Sequence, residues 1–183
     1  MSERTAPDMW VDPEEDPRES AEQPVGEKDT LRDYLRVYRL TLEMKCSGLD
    51  AEQLARRSVP PSTMSLLGLV RHLAAVEHHW FQRVLQGRDL PRLYRPDGDR
   101  DHDFNAATPE PSVVEEAWST WRREATAADE WLAGDVSMDA EVTLTDGSTS
   151  YVRDIIVHMV EEYARHAGHA DLLRECIDGR TGQ

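Results

Sequence analysis

Cysteine is nearly absent from this sequence, whose 183 residues include only Cys46 and Cys176. Two cysteines are too few for a disulfide framework, and no Cys-x-x-Cys pair is present for zinc binding or redox chemistry. We therefore expect two free thiols in helical segments.

Long apolar runs and positive charge are also lacking. No stretch approaches the roughly 18 apolar residues of a membrane span, and the N-terminal region has no apolar run typical of a signal peptide. The 36 acidic residues outnumber the 21 basic ones, which gives a net charge of −15 and a surface that repels nucleic acid. We predict a cytoplasmic protein that binds neither a membrane nor a nucleic acid.

Several common catalytic motifs are missing. The sequence contains no His-Glu-x-x-His of a zinc protease, no Gly-x-Ser-x-Gly and no Walker-type glycine loop. It also lacks the repeated Glu-x-x-His of carboxylate-bridged di-iron bundles. These absences argue against each of the corresponding enzyme classes.

Residues 1–28 form an acidic, proline-rich segment. Such a composition cannot bury enough apolar surface to offset the entropy lost on ordering the backbone, so we expect a disordered tail. Trp10 and Val11 are the residues there that could dock on the folded domain or on a partner.

Apolar residues recur every three or four positions in four later segments, which predicts four amphipathic helices. They span about residues 29–47, 63–86, 112–132 and 149–178, and a glycine follows each within two residues. Ser112 and Glu115 have capping-box spacing at the start of the third helix. We expect residues 142–145 to form an extended turn too short for a sheet. The prediction is an all-α four-helix bundle over residues 29–180.

The link over residues 87–111 is long enough to run the length of a helix. The second and third helices could therefore lie parallel, unlike those of a simple up-down-up-down bundle.

Six of the seven histidines lie in the predicted second and fourth helices. On the fourth, His166 falls about 80° and Glu162 about 40° from His158, toward an apolar stripe centred near roughly 110°. His72 lies at the edge of the apolar face of the second helix, and His79 shares its angular position one heptad later. Two imidazoles and one carboxylate from adjacent helices match a three-ligand site for a divalent cation with an open position.

Two other interpretations of these residues remain open. A histidine on an apolar face is often a hydrogen-bonded core residue. Glu162 and His166, four residues apart, could also form only a helix-surface pair worth a few tenths of a kcal/mol.

Two segments resemble the signatures of the DinB-like four-helix-bundle superfamily, and the similarity covers about residues 29–180. The first is Ser65-Leu66-Leu67-Gly68-Leu69-Val70-Arg71-His72-Leu73, continued by Glu77-His78-His79-Trp80. The second is His158-Met159-Val160-Glu161-Glu162-Tyr163-Ala164-Arg165-His166-Ala167-Gly168-His169, which is similar to an actinobacterial branch of unknown function.

This resemblance implies an up-down-down-up bundle, often a homodimer, that holds zinc or nickel through three side chains. The positions that match the ligands are His72, Glu162 and His166. Many relatives have histidine at the position of Glu162, but a mycothiol-dependent maleylpyruvate isomerase of the superfamily uses the His/Glu/His combination. His169 stands where many relatives carry glutamine, and its implied role is to orient a ligand or solvent.

The characterised enzymes of the superfamily use low-molecular-weight thiols, which implies a metal-dependent S-transferase or isomerase with mycothiol as co-substrate and a small electrophile. Coordination of a thiol to a metal removes its proton and leaves a nucleophile at neutral pH. His79, His158, His169 and Arg165 are candidates for a proton shuttle or an anion clamp around such a site.

Two functional alternatives share the fold. One is a non-catalytic metal-binding or stress-response module, in which the acidic tail with Trp10 would be the working surface. The other is a metal-assisted hydrolase, in which the open position of the ion holds water instead of a thiol.

Overall fold

The computed structural model describes residues 9–19, 23–96 and 98–182. The elements in chain order are a 3-10 helix Pro13–Glu15, α1 Gly26–Cys46, α2 Ala51–Ala55, α3 Leu66–Glu77 continued by a π-helix His78–Leu85, α4 His102–Asn105, α5 Pro111–Ala133, β1 Glu141–Thr143, β2 Thr149–Tyr151 and α6 Val152–Asp178. The four predicted helices correspond to α1, α3 with its π-helical extension, α5 and α6. The all-α fold class is confirmed.

The pairs that join α1 to α6 show that these two helices run in the same direction. Glu27 near the start of α1 pairs with Arg153 near the start of α6, at 3.3 Å. Lys45 near the end of α1 pairs with Asp171 late in α6, at 2.6 Å.

Helices α3 and α5 are parallel to each other and antiparallel to α1 and α6. Arg71 of α3 reaches Glu116 early in α5, and Phe81 of the extension packs against Trp131 late in α5. The opposite order holds between α1 and α5, where Arg39 pairs with Asp129 and Glu43 with Arg122. The bundle is therefore up-down-down-up, and the long link between α3 and α5 carries the chain back, as its length suggested.

The core lies between the four long helices and consists mainly of leucine with a few large side chains. Its most buried members include Leu35, Leu42, Leu66, Leu67, Leu69, Leu73, Phe81, Leu132, Ile156, Met159 and Tyr163. Cys46 is buried in this core and Cys176 is exposed, and both are free thiols, as expected.

Two local predictions about the third helix and the turn region are wrong. Helix α5 begins with Pro111 after Glu110 and has no side-chain cap, because proline at the first position needs no hydrogen bond to its nitrogen. Strands β1 and β2 form a two-stranded antiparallel sheet where we expected only an extended turn. Asp146-Gly147 supplies the tight turn between them, with Gly147 at φ 87°.

The N-terminal segment also differs from the expected disordered tail within residues 9–19. Trp10 is only 2% exposed. Its ring lies 3.8 Å from the Arg180 guanidinium carbon and 4.1 Å from Lys45 Nζ. Cation–π contacts and burial of the one aromatic side chain of the tail hold this part against α1 and the end of α6. Residues 1–8 and 20–22, which belong to the same prediction, lie outside the described residues.

One buried polar network contains a side chain from each of the four long helices. Glu77 of α3 is fully buried and accepts hydrogen bonds from Arg39 of α1, at 2.8 and 2.9 Å. Tyr163 of α6 donates its hydroxyl to Glu77 at 2.7 Å, and Trp121 of α5 donates to that hydroxyl at 2.9 Å. Every member thus has a partner, which a buried charge requires.

None of the helices in the described part of the chain combines the length and the apolar character that a bilayer crossing requires.

Replacing Arg39 with methionine should destabilise the protein by about 3–5 kcal/mol, because Glu77 would be left buried without its cation. Urea unfolding followed by circular dichroism measures the loss. Arg32→Met is the matched control, since Arg32 forms only an exposed pair with Asp29 at 3.7 Å and should change stability by less than about 0.5 kcal/mol. Equal stabilities of the two variants would show that the network does not hold the bundle together.

Candidate metal centre

The structure brings His72, Glu162 and His166 together, as the sequence predicts. One ligand atom from each lies within 4.8 Å of the other two. His72 comes from α3, whereas Glu162 and His166 lie one turn apart on α6 and therefore share a face. Glu162 Oε2 lies 3.5 Å from His166 Nε2 and 3.9 Å from His72 Nε2.

These separations fit a common ion better than direct hydrogen bonds. Hydrogen bonds between nitrogen and oxygen are most often about 2.9 Å long. Ligand atoms at about 2.0–2.1 Å from a tetrahedral zinc lie roughly 3.3 Å from one another. The spacing around Glu162 is close to the second value, and the donor set of two histidines and one glutamate is one that catalytic zinc sites use.

Partners on the outer side of each histidine orient the inner nitrogens. His72 Nδ1 lies 2.8 Å from Asp103 Oδ2, so that Nδ1 donates to the carboxylate and Nε2 is the nitrogen that faces Glu162. His166 Nδ1 lies 3.2 Å from His169 Nδ1, which allows His166 to donate there and to keep its own Nε2 free. Histidine ligands of metals nearly always donate their other ring nitrogen in this way.

The electrostatics of the site favour a positive charge next to Glu162. The nearby imidazoles of His166, first, and of His72, second, hold the pKa of Glu162 well below its usual value. Burial acts to lower the pKa of His72, but Asp103 and Glu162 outweigh it and raise that pKa to about 9. Two carboxylates on either side of an imidazole thus stabilise a cation at this point.

Asp103 is the site residue that the sequence did not predict. It belongs to the short helix α4 inside the long link, and the neighbouring Phe104 stacks on His72 with ring centroids 5.3 Å apart. The close approach depends on Gly68, where a Cβ would lie 2.6 Å from Phe104 Cδ1. A glycine inside an apolar helix was the available signal, since such a glycine often marks close packing.

The other predicted site residues have different environments. His158 Nε2 lies 3.6 Å from Glu162 Oε1, and its ring packs edge-on against Trp80. His169 contacts His166, and burial, His166 and the charge of Arg165 lower its pKa. Arg165 itself is exposed, and among the described residues no hydrogen bond or ion pair joins it to the trio. The structure therefore brings His158 and His169 to the site but not the Arg165 side chain.

A cavity of about 140 Å³ adjoins the trio, and His72 and Asp103 form part of its wall. His79 and Trp80 of the π-helix line it from one side and Tyr94 of the link lines it from another. The cavity gives a small molecule access to the His72 side of the site.

The chain matches one family of known proteins. No curated protein matches the chain significantly. The family described as mycothiol-S-transferase, which is DinB-like, matches residues 30–179, a range that includes the trio and its outer partners. The chain therefore belongs to the mycothiol-S-transferase family.

Proposed function

We propose that this protein is a metal-dependent enzyme that transfers mycothiol to a small electrophile, with His72, Glu162 and His166 as the metal ligands. The observation that supports it best is the trio with ligand atoms within 4.8 Å, in which both histidines have outer partners that direct Nε2 inward. Membership of the mycothiol-S-transferase family supports the choice of thiol.

The residues fit a divalent ion such as zinc or nickel, and three ligands leave a coordination position for a further group. A divalent ion held there would lower the pKa of a bound thiol and so supply a thiolate at neutral pH. Glu162 adds negative charge to the ligand set. Asp103 holds His72 in the tautomer that presents Nε2.

Two imidazoles near the trio can take the thiol proton. His158 is about two-fifths exposed and can pass a proton to solvent, whereas the lowered pKa of His169 keeps that ring neutral and able to accept one. The sulfur then forms a bond to the electrophilic carbon. In a substitution the leaving group departs with its bonding electrons, and in an addition the proton returns to the neighbouring carbon.

One alternative loses support from the structure. A binding module that works through its tail would present Trp10, but Trp10 is buried against the bundle. A metal-assisted hydrolase would use the same three ligands, so the reaction itself must separate it from a transferase. The cytoplasmic location and the homodimer stay predictions.

The ligand assignment predicts the metal content of paired variants. Wild-type protein supplemented with zinc or nickel should retain about one equivalent of metal after desalting. Because Glu162→Gln removes a ligand, its metal affinity should fall by far more than the roughly 10–100-fold that the loss of an outer partner causes. Elemental analysis measures the content. Glu161→Gln, which changes the exposed neighbouring carboxylate, should bind as the wild type does. Less than a tenth of an equivalent in the wild type would refute the proposal.

The role of Asp103 predicts a smaller effect. Asp103→Ala should weaken metal binding by about 10–100-fold, because His72 loses the acceptor that fixes its tautomer. Competition with a coloured chelator measures the affinity, and Asp101→Ala in the same loop is the control. If both variants bind as tightly as the wild type, Asp103 does not orient the ligand.

The proposed reaction predicts that the loaded protein consumes mycothiol in the presence of a chlorodinitrobenzene-like electrophile. His166→Ala should reduce the rate to the uncatalysed level while circular dichroism shows the helices intact, and Glu161→Gln should keep the rate. Equal rates for the wild type and His166→Ala would reject the assignment. Ester hydrolysis without thiol consumption would favour the hydrolase.

A further inference from the structure

A second cavity of about 170 Å³ lies next to the one beside His72. The two share Ala75, His79, Leu93 and Arg95 on their walls, and Thr145 of the β1–β2 turn closes the far side of the second. Together the two cavities have the volume of a small-molecule site, and His72 and Asp103 line only the first of them.

Four arginines line these two cavities. Arg83 of the π-helix and Arg92 of the link belong to the second, Arg95 belongs to both, and Arg100 belongs to the first. Within the ranges that the structure describes, none of the four forms an ion pair with a carboxylate, although the whole chain has a net charge of −15. Arg92, Arg95 and Arg100 are exposed to solvent, whereas Arg83 is partly buried.

Arg83 gives the sharpest indication of a ligand. Its Nε and Nη1 atoms are buried and have no hydrogen-bond partner in the described structure. Buried donors without partners are rare and costly, most of all on a charged group. Nε and Nη1 lie on different edges of the guanidinium, so each of them needs an acceptor atom of its own.

The pKa of the neighbouring residue His79 is affected by the same positive charges. Burial lowers the pKa of His79, and the charges of Arg83, Arg92 and Arg95 lower it further. Three arginines therefore act on one point of the wall that both cavities share.

We propose that these two cavities form an anion subsite, in which Arg83, Arg92 and Arg95 bind a carboxylate of the electrophile and hold its reactive carbon toward His72. The inference depends on the proposed transferase function for the identity of the second substrate. The proposal that the cavities bind an anion depends on the arginines alone. The ligand is small, because the two cavities measure only about 170 and 140 Å³ and the net charge of −15 would repel a polyanion.

Calorimetric titration of the metal-loaded protein with succinate, a dicarboxylate without an electrophilic carbon, tests the subsite directly. Succinate should bind, and its neutral analogue succinamide should not. Arg83→Met and Arg95→Gln should each weaken succinate binding by about tenfold or more. Arg95 is exposed, so its variant tests the subsite even if Arg83→Met fails to fold. Arg88→Gln is the matched control, because Arg88 donates to Gln82 and lies outside both cavities.

The same titration separates the subsite from the metal. Glu162→Gln should keep succinate binding, whereas binding that is lost in Glu162→Gln and kept in both arginine variants would mean that the metal takes the carboxylate and would overturn the proposal. No succinate binding to the wild type would overturn it as well. Because succinate does not react, these outcomes are independent of whether mycothiol is transferred.

Kinetics then assign the anion to one of the two substrates. With mycothiol and the unsaturated dicarboxylate fumarate, Arg95→Gln should raise KM for fumarate by about tenfold and leave KM for the thiol unchanged. The neutral electrophile fumaramide should react equally with both proteins. A rise in KM for the thiol alone would place the anion on the thiol and refute the assignment to the electrophile.

Discussion

The structure depends on a carboxylate that has no access to water. Glu77 is fully buried, and its charge is stable there because Arg39 and Tyr163 donate to it, while Trp121 fixes the Tyr163 hydroxyl. These four side chains come from α1, α3, α5 and α6, so that the network is satisfied only when all four helices are in place. Hydrophobic packing alone tolerates small shifts between helices, whereas a buried ion pair loses its partners when they move.

This constraint also sets the geometry of the candidate metal centre. Glu77 lies five residues after His72 on α3, and Tyr163 directly follows Glu162 on α6. A hydrogen bond of 2.7 Å between Tyr163 and Glu77 therefore fixes how far α3 can slide along α6. A slide of one residue is about 1.5 Å, which would change the Glu162–His72 separation by more than a metal site tolerates. The polar network and the trio therefore depend on the same register between α3 and α6.

The sequence predicts those parts of the molecule that arise from helical periodicity, and it misses those that arise from contacts between distant segments. The apolar stripe of α6 marks Glu162 and His166, but His72 and His79 share one angular position on the second predicted helix, and the family resemblance selects His72. Asp103 sits in a link without periodicity, and only the packing of Phe104 against Gly68 places it beside His72. The composition of residues 1–28 predicts disorder and leaves the docking of Trp10 open, because an average over a segment does not show that one ring packs between Lys45 and Arg180.

The two halves of the proposed active site also have complementary charge. Glu162 in the trio and Asp103 on the outer side of His72 would together offset the charge of a bound divalent cation, so that the loaded centre would contribute little net charge to the cavity. The metal centre then does not offset the positive charge that Arg83, Arg92 and Arg95 contribute at the cavity wall. Of the acidic residues in the described part of the link, Asp99 contacts His102 and Asn105, and Asp103 contacts His72. A carboxylate in the cavity is therefore attracted by the arginines more than by the centre, which directs its uncharged, reactive end toward His72.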